Sequence, residues 1–216
     1  MLLAAAVATL VLGHSAEGRE IRATRVGEEG AAVNVLVVGS VHGNEVMGER
    51  IVAALRRERP EGVTLWLVRT LNPDGRAAGT RQNARGVDLN RNFPRRWRGG
   101  GARGGTYYPG PRAGSEPETQ ALMRLVRRVR PQLAIYYHQW LGMTVRARGV
   151  DPALQREYAR RTGLPLRDLP DYRGTAIGWQ NHVIRDGNAF VVELRAGAPP
   201  VRRHVNAVLA LARKAR

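Results

Sequence analysis

The stretch Val33-Asn34-Val35-Leu36-Val37-Val38-Gly39-Ser40-Val41-His42-Gly43-Asn44-Glu45 decides the fold. Its first half, Val33 to Gly39, is a short apolar run that reads as a buried strand, and its second half must turn. Past the turn, Met47, Ile51, Ala54 and Leu55 fall at helical spacing, with Pro60 closing the helix. Val63 to Val68 is a second strand, which runs into the turn signal Asn72-Pro73-Asp74-Gly75. Leu122, Leu125, Val126 and Val129 mark an amphipathic helix that Pro131 ends, and Leu133 to Tyr137 is a short strand with His138 at its end. A helix is expected from Pro152 to Arg161, then an irregular stretch to Asn188, the strand Ala189 to Leu194, and a closing helix lined by Val201, Val205, Val208 and Leu209. This alternation predicts an α/β domain.

The chain has 216 residues, enough for one sizeable core and short for two, and 43% hydrophobic with 25% charged residues is a globular balance. No internal repeat or linker divides it. Residues 13–216 are read as one catalytic domain, preceded by 1–12 as a hydrophobic N-terminal segment or signal. Leu2 to Leu12 is too short to span a bilayer and suits the apolar region of a secretory signal, although no basic stretch precedes it. The other reading is a first core strand or helix. Export places the protein in the periplasm, the cell envelope or the medium; without it the protein is cytoplasmic.

The formal net charge is +17, and Lys214 is the only lysine. Such a balance suits an anionic partner such as nucleic acid or a wall polymer. An arginine-only skew beside abundant Ala, Gly and Val also arises from GC-rich coding sequence. Cysteine is absent, so thiolate ligands and Cys nucleophiles are excluded and any metal must be held by nitrogen and oxygen.

Strand ends matter because the ligand crevice of an open α/β sheet lies beyond the carboxyl ends of its parallel strands. His42 and His138 both follow such ends. A catalytic zinc site takes three protein ligands and an open position, and His2Glu is one recurring set. The two-residue gap between His42 and Glu45 lets both face one ion, with His138 available from a distant strand end. Glu193 is a carboxylate in an otherwise apolar strand, which is costly unless it is paired or used. Residues 76–116 are polar and rich in Gly and Arg, and read as long irregular structure around a site.

In order, Gly39-Ser40-Val41-His42-Gly43-Asn44-Glu45, Asn72-Pro73-Asp74-Gly75 and Gly86-Val87-Asp88-Leu89-Asn90-Arg91-Asn92-Phe93-Pro94 resemble the signature blocks of the M14 zinc carboxypeptidases. Tyr108-Pro109-Gly110, Ser115-Glu116-Pro117-Glu118-Thr119, His138, Gly178-Trp179-Gln180-Asn181-His182 and Phe190-Val191-Val192-Glu193-Leu194 continue the match. The nearest resemblance is to the short bacterial branch that includes murein peptide amidases. It implies a single α/β domain with a mixed, mainly parallel central sheet flanked by helices. It makes His42, Glu45 and His138 the ligands of one zinc ion, Asp88 the carboxylate that orients His42, and Glu193 the general base and acid. Asp88 has a second reading, as a turn residue capping Asn90. Arg81 matches the arginine that supports the oxyanion, while Asn90 and Arg91 match the pair that grips the substrate carboxylate. Tyr172 resembles the tyrosine of a mobile covering loop, with imperfect spacing; otherwise it is an ordinary half-buried tyrosine.

Two features depart from or bear on the pattern. Asn44 stands where digestive carboxypeptidases carry a substrate-binding arginine, and Arg195 lies two residues from Glu193. Arg195 is expected to point outward or to bind an anionic substrate. His14 and His204 are expected to be surface or satisfied histidines, with a minor substrate-loop role left open for His182.

The expected reaction is zinc-assisted amide hydrolysis of a peptide, with a murein peptide as the substrate implied by the branch. Neither a nucleic-acid partner nor a stable membrane span is expected. One alternative is a zinc deacylase similar to succinylglutamate desuccinylase or aspartoacylase. Another is a non-enzymatic binder of nucleic acid or anionic wall polymer.

Overall fold

The computed structural model describes residues 7–28 and 30–215, and the remaining part of the Leu2 to Leu12 run lies outside them. The strands are β1 (Ala8–His14), β2 (Glu20–Gly27), β3 (Val33–Val38), β4 (Val63–Val68), β5 (Leu133–Val145), β6 (Leu166–Arg167) and β7 (Asn188–Arg195). The helices are α1 (Gly48–Leu55), α2 (Pro73–Ala78), α3 (Pro117–Val129), α4 (Pro152–Thr162), α5 (Ala176–Val183) and α6 (Val201–Lys214). Among the described residues they form one seven-stranded sheet in the order β1-β2-β4-β3-β5-β6, with β7 pairing β5. Pairings that involve β1 or β2 are antiparallel and the others are parallel, apart from the returning end of β5, whose register with β7 runs in the opposite sense.

Side-chain alternation along each strand sorts the core into two layers. Leu36, Val38, Ala134, Tyr136, Ala189 and Val191 pack beneath α3 and α5, joined by Leu122, Val126 and Trp179. Val35, Val37, Ile135, Tyr137, Phe190 and Val192 face the other way, against Ile51 and Leu55 of α1, Tyr158 of α4 and Val205 and Val208 of α6. Because helices cover both faces of β3, β5 and β7, these strands are apolar at nearly every position. The strand β1 takes up the second half of the N-terminal apolar run, and Leu10 and Leu12 pack against the first of these layers.

Several elements differ from their expected bounds. Helix α1 stops at Leu55 with Arg56 as its cap, short of Pro60, and the chain reaches β4 through a turn. Asn72 caps α2 by accepting the Gly75 N–H at 2.9 Å, so the turn signal opens a short helix. The block Gly178–His182 lies in α5, where an irregular stretch was expected. Strand β5 does not end at His138. It continues to Trp140 beside β7, then doubles back, so that His138 and Met143 both stand opposite Glu193.

Residues 79–116 have little regular structure beyond a 3-10 turn at Leu89–Arg91, and buried amides hold them. Asn83 donates to Glu116 Oε2 at 2.8 Å and to Glu118 Oε2 at 3.1 Å, while its own oxygen accepts the Arg85 and Val87 N–H groups. Asn92 donates to the Pro109 carbonyl at 2.8 Å and to Ser115 Oγ at 2.9 Å, and it accepts the Glu116 N–H. These bonds meet the requirement that buried polar groups be satisfied, which a loop on its own does not do.

His204 of α6 is buried, with Nδ1 2.8 Å from the Tyr158 hydroxyl, which in turn lies 2.8 Å from that of Tyr137. Burial pushes its imidazole down to about 4 from an ordinary value of 6.5. The unfolded chain therefore takes up this proton near pH 6.5, and the folded chain not until about 4. Stability should be level in this respect above pH 6.5 and fall toward pH 4, by up to ~3 kcal/mol. Melting temperatures between pH 8 and 5 should show that decline, and a His204→Gln variant should show a shallower one.

Candidate active site

The site stands at the carboxyl ends of β3, β5 and β7. The turn after β3 supplies His42 and Glu45, β5 supplies His138, and β7 supplies Glu193. His42, Glu45, His138 and Glu193 are all buried. The turn is tight because Gly43 presses on the start of α2: a Cβ there would lie 2.0 Å from the Gly75 carbonyl carbon.

The ligand atoms of His42, Glu45 and His138 all lie within 4.8 Å of one another. His42 Nδ1 is 2.9 Å from Glu45 Oε1, His138 Nδ1 is 2.8 Å from Glu45 Oε2, and the two Nδ1 atoms are 3.2 Å apart. His42 Nε2 is 2.9 Å from Asp88 Oδ1. With its proton donated there, His42 turns the lone pair of Nδ1 toward Glu45 and His138. Two imidazole nitrogens and a carboxylate converging in this way is a donor set suited to a divalent cation. Their spacing is within about half an ångström of the roughly 3.3 Å edge of a tetrahedral zinc site. The residues fit one zinc ion.

Asp88 is fully buried and joins the site to its supporting loop. Besides His42, it accepts the Asn90 N–H at 2.9 Å and Arg81 Nη2 at 2.9 Å. The two roles open in the sequence, partner of His42 and cap of Asn90, are both filled by the same carboxylate. Burial opposes its charge, but His42, with Arg81 and Arg91 beyond, holds it at about 2. Burial likewise works against charge on His42, yet Asp88 and Glu45 raise its pKa. Burial would also raise Glu45, which the two histidines hold well below the usual carboxylate range.

Arg81 also reaches the centre directly, with Nη1 3.0 Å from Glu45 Oε1 and 3.1 Å from His42 Nδ1. Asn90 points Nδ2 toward His138 Nε2 at 3.5 Å, and its oxygen accepts the Ala176 N–H at the start of α5. Arg91 lies farther out, 4.3 Å from the ring centre of Tyr172 and 5.0 Å from that of Tyr107. Burial, assisted by the charge of Arg81, lowers its pKa.

Glu193 stands opposite His138 across the β5–β7 pairing, and its Oε2 is buried without a hydrogen-bond partner. Burial foremost, then the Glu45 charge, raises its pKa against the pull of His138 and the Leu141 N–H. Arg195 is exposed and is not among these influences. His14 and His182 are also exposed.

Tyr172 is exposed and stacks on Tyr107 with ring centres 6.4 Å apart. Tyr107 was missed in the sequence, where no period or spacing singles it out from its neighbour Tyr108. Gln139 was also missed: its N–H points at Glu45 Oε2 at 3.3 Å, and its Oε1 accepts the Met47 N–H at 2.9 Å. Its place directly after His138 was the only available signal.

A doubly covered α/β sheet with a His2Glu centre and a free carboxylate beside it defines a metallohydrolase-type site. The family model for zinc carboxypeptidases, Peptidase_M14, matches residues 4–147, and the chain belongs to that family. Murein peptide amidase A of Escherichia coli strain K12 is 37% identical over 119 residues, which are 50% of this chain and 49% of the relative. The chain thus matches about half the length of that relative. The murein peptide amidase A of Vibrio campbellii is 30% identical over 199 residues, covering 82% of this chain and 76% of its own. The crystal structure of murein-tripeptide amidase MpaA from Escherichia coli O157 superposes with a TM-score of 0.71 at 25% identity, over 96% of this chain and 91% of that one. Residues Tyr172 and Glu193 lie beyond the stretch that the family model matches.

Two substitutions test how this centre is held. Asp88→Asn should weaken zinc binding about 10- to 100-fold, measured by competition with a chelator. Gly43→Ala drives a Cβ into backbone that no side-chain rotation can clear. It should lower both melting temperature and zinc affinity, with a stability loss of about 1–3 kcal/mol.

Proposed function

We propose that the protein hydrolyses an amide bond in a small cell-wall peptide, with zinc held by His42, Glu45 and His138 and the proton carried by Glu193. The observation that carries this reading is the buried Glu193 carboxylate one strand across from His138, whose Oε2 has no hydrogen-bond partner. When bound, zinc supplies a Lewis acid and lowers the pKa of a water to about 7.

The remaining steps fall to the side chains. Glu193 accepts a proton from the attacking water at its free oxygen and passes it to the leaving nitrogen, a transfer suited to a carboxylate whose pKa is raised by burial. Asp88 keeps the proton of His42 on Nε2, so that Nδ1 stays a donor to the metal. Arg81, anchored on Asp88, places a charged N–H beside the reacting centre, where it supports the developing oxyanion. Asn90 and Arg91 grip the substrate carboxylate, and Tyr172 covers the bound peptide from its exposed loop.

The murein peptide is proposed on the likeness to amidases of that name. A secreted or envelope location is proposed with it, on the apolar Leu2 to Leu12 run of the sequence. Among the described residues no helix is long and apolar enough to cross a membrane.

Glu193→Gln should keep its zinc and lose hydrolysis of a murein tripeptide by at least ~10²-fold. His138→Ala should lose zinc and hydrolysis together. Metal analysis beside mass-spectrometric product detection separates the two cases. Equal zinc loss in both variants would overturn the roles, and turnover of N-succinylglutamate without any peptide cleavage would overturn the substrate class.

A further inference from the structure

The metal ligands Glu45 and His138 come from different segments, the turn between β3 and α1 and the strand β5, so their separation depends on what fastens one segment to the other. Within the turn the backbone bonds are short-range. The Glu45 N–H donates to the His42 carbonyl at 3.2 Å, and the Glu49 N–H to that of Val46 at 3.1 Å. These bonds shape the turn without attaching it to β5. The first N–H groups of a helix have no partner within it, and Met47, which precedes α1, supplies no side-chain cap. Its N–H is met instead from β5, by Gln139 Oε1 at 2.9 Å.

Gln139 is buried and reaches the turn at two points. Its own N–H lies 3.3 Å from Glu45 Oε2, the oxygen that also faces His138 Nδ1 at 2.8 Å, while its side chain holds Met47. Together the two bonds close a ring through Glu45, Val46 and Met47, so that the carboxylate and its backbone are both referred to one residue of β5. Packing limits the approach from the other side. A Cβ on Gly48 would lie 2.1 Å from the Gly39 carbonyl oxygen and 2.5 Å from Tyr137 Cβ, so the first residue of α1 is already pressed against β5. Contact keeps the helix from moving inward, and the Gln139 bond keeps it from moving away. Any residue but proline at this position offers the N–H, whereas only a side-chain acceptor of suitable length meets Met47.

We infer that Gln139 is a positioning residue for the metal centre: its side-chain amide ties the start of α1 to β5 and so fixes Glu45 relative to His138. This rests on His42, Glu45 and His138 holding zinc. Gln139 acts through Glu45 and has no part in moving protons. Its place complements that of Asp88, which braces His42 from the irregular segment, while Gln139 braces Glu45 from the sheet. The hydrogen-bond partners that hold metal ligands in place contribute to metal affinity almost as the ligands do.

The test compares the full chain with Gln139→Met, which keeps the length of the side chain and loses its strong acceptor, and with Gln139→Asn, whose amide falls one methylene short of Met47. Chelator competition should show zinc bound about 10- to 100-fold more weakly by both variants. The visible absorption of the Co²⁺-loaded proteins, which reports how the ligands stand around the ion, should change in both. Leu141→Ala, at an exposed position of the same strand, should leave affinity and spectrum as they are. Unchanged zinc affinity in the Gln139 variants would overturn the proposal. So would a lower melting temperature of the metal-free variants beside an unaltered Co²⁺ spectrum, which is the mark of a purely structural role. If Gln139→Met does not fold, the affinity and spectrum of Gln139→Asn decide. An unaltered chain that binds no zinc would defeat the metal site itself. Zinc held without cleavage of a murein tripeptide, beside weakened binding in the variants, would defeat the peptidase reading and uphold the role of Gln139.

Discussion

Much of this structure depends on one ionised carboxylate held entirely out of water. Asp88 accepts from His42, Arg81 and the Asn90 N–H at once. A buried charge with fewer partners would be strongly unfavourable, and removing any one of them leaves the Asp88 carboxylate under-compensated. The same atom set that stabilises the charge therefore dictates geometry. It orients an imidazole, anchors a guanidinium at the reacting centre and opens the 3-10 turn that presents Asn90 and Arg91.

Around that point the labour is divided between rigid and irregular structure. Residues that must keep their distance from a metal to within tenths of an ångström come from strands or from the turn directly after one. His138 and Glu193 share a ladder position, so the hydrogen bonds of β5 and β7 set their separation. Farther out, Arg91 and Tyr107 come from irregular structure whose backbone is held by buried amides and carboxylates.

The arginine excess has a local meaning as well as a global one. Across most of the surface the guanidinium groups are paired or spread out, as Arg160 and Arg161 are on Glu157. Exposed pairs of that sort contribute little to stability. Arg91, Arg98 and Arg173 line one cleft that has no acid in its wall.

The sequence by itself determined the alternation of strands and helices, because burial on both faces and helical spacing are written in the order of apolar residues. The bounds of β4 and most of β7 were legible for that reason, and the motif blocks marked His42, Glu45, His138, Asp88 and Glu193. What it did not contain was the reversal in β5, which depends on pairing with a strand some fifty residues later. Nor did it contain the stacking of Tyr107 on Tyr172, or the meeting of Arg98 and Arg173 across one cleft. Local periodicity records which face of an element is buried, whereas only the folded chain decides which distant side chains share a wall, since that follows from how layers pack and loops cross.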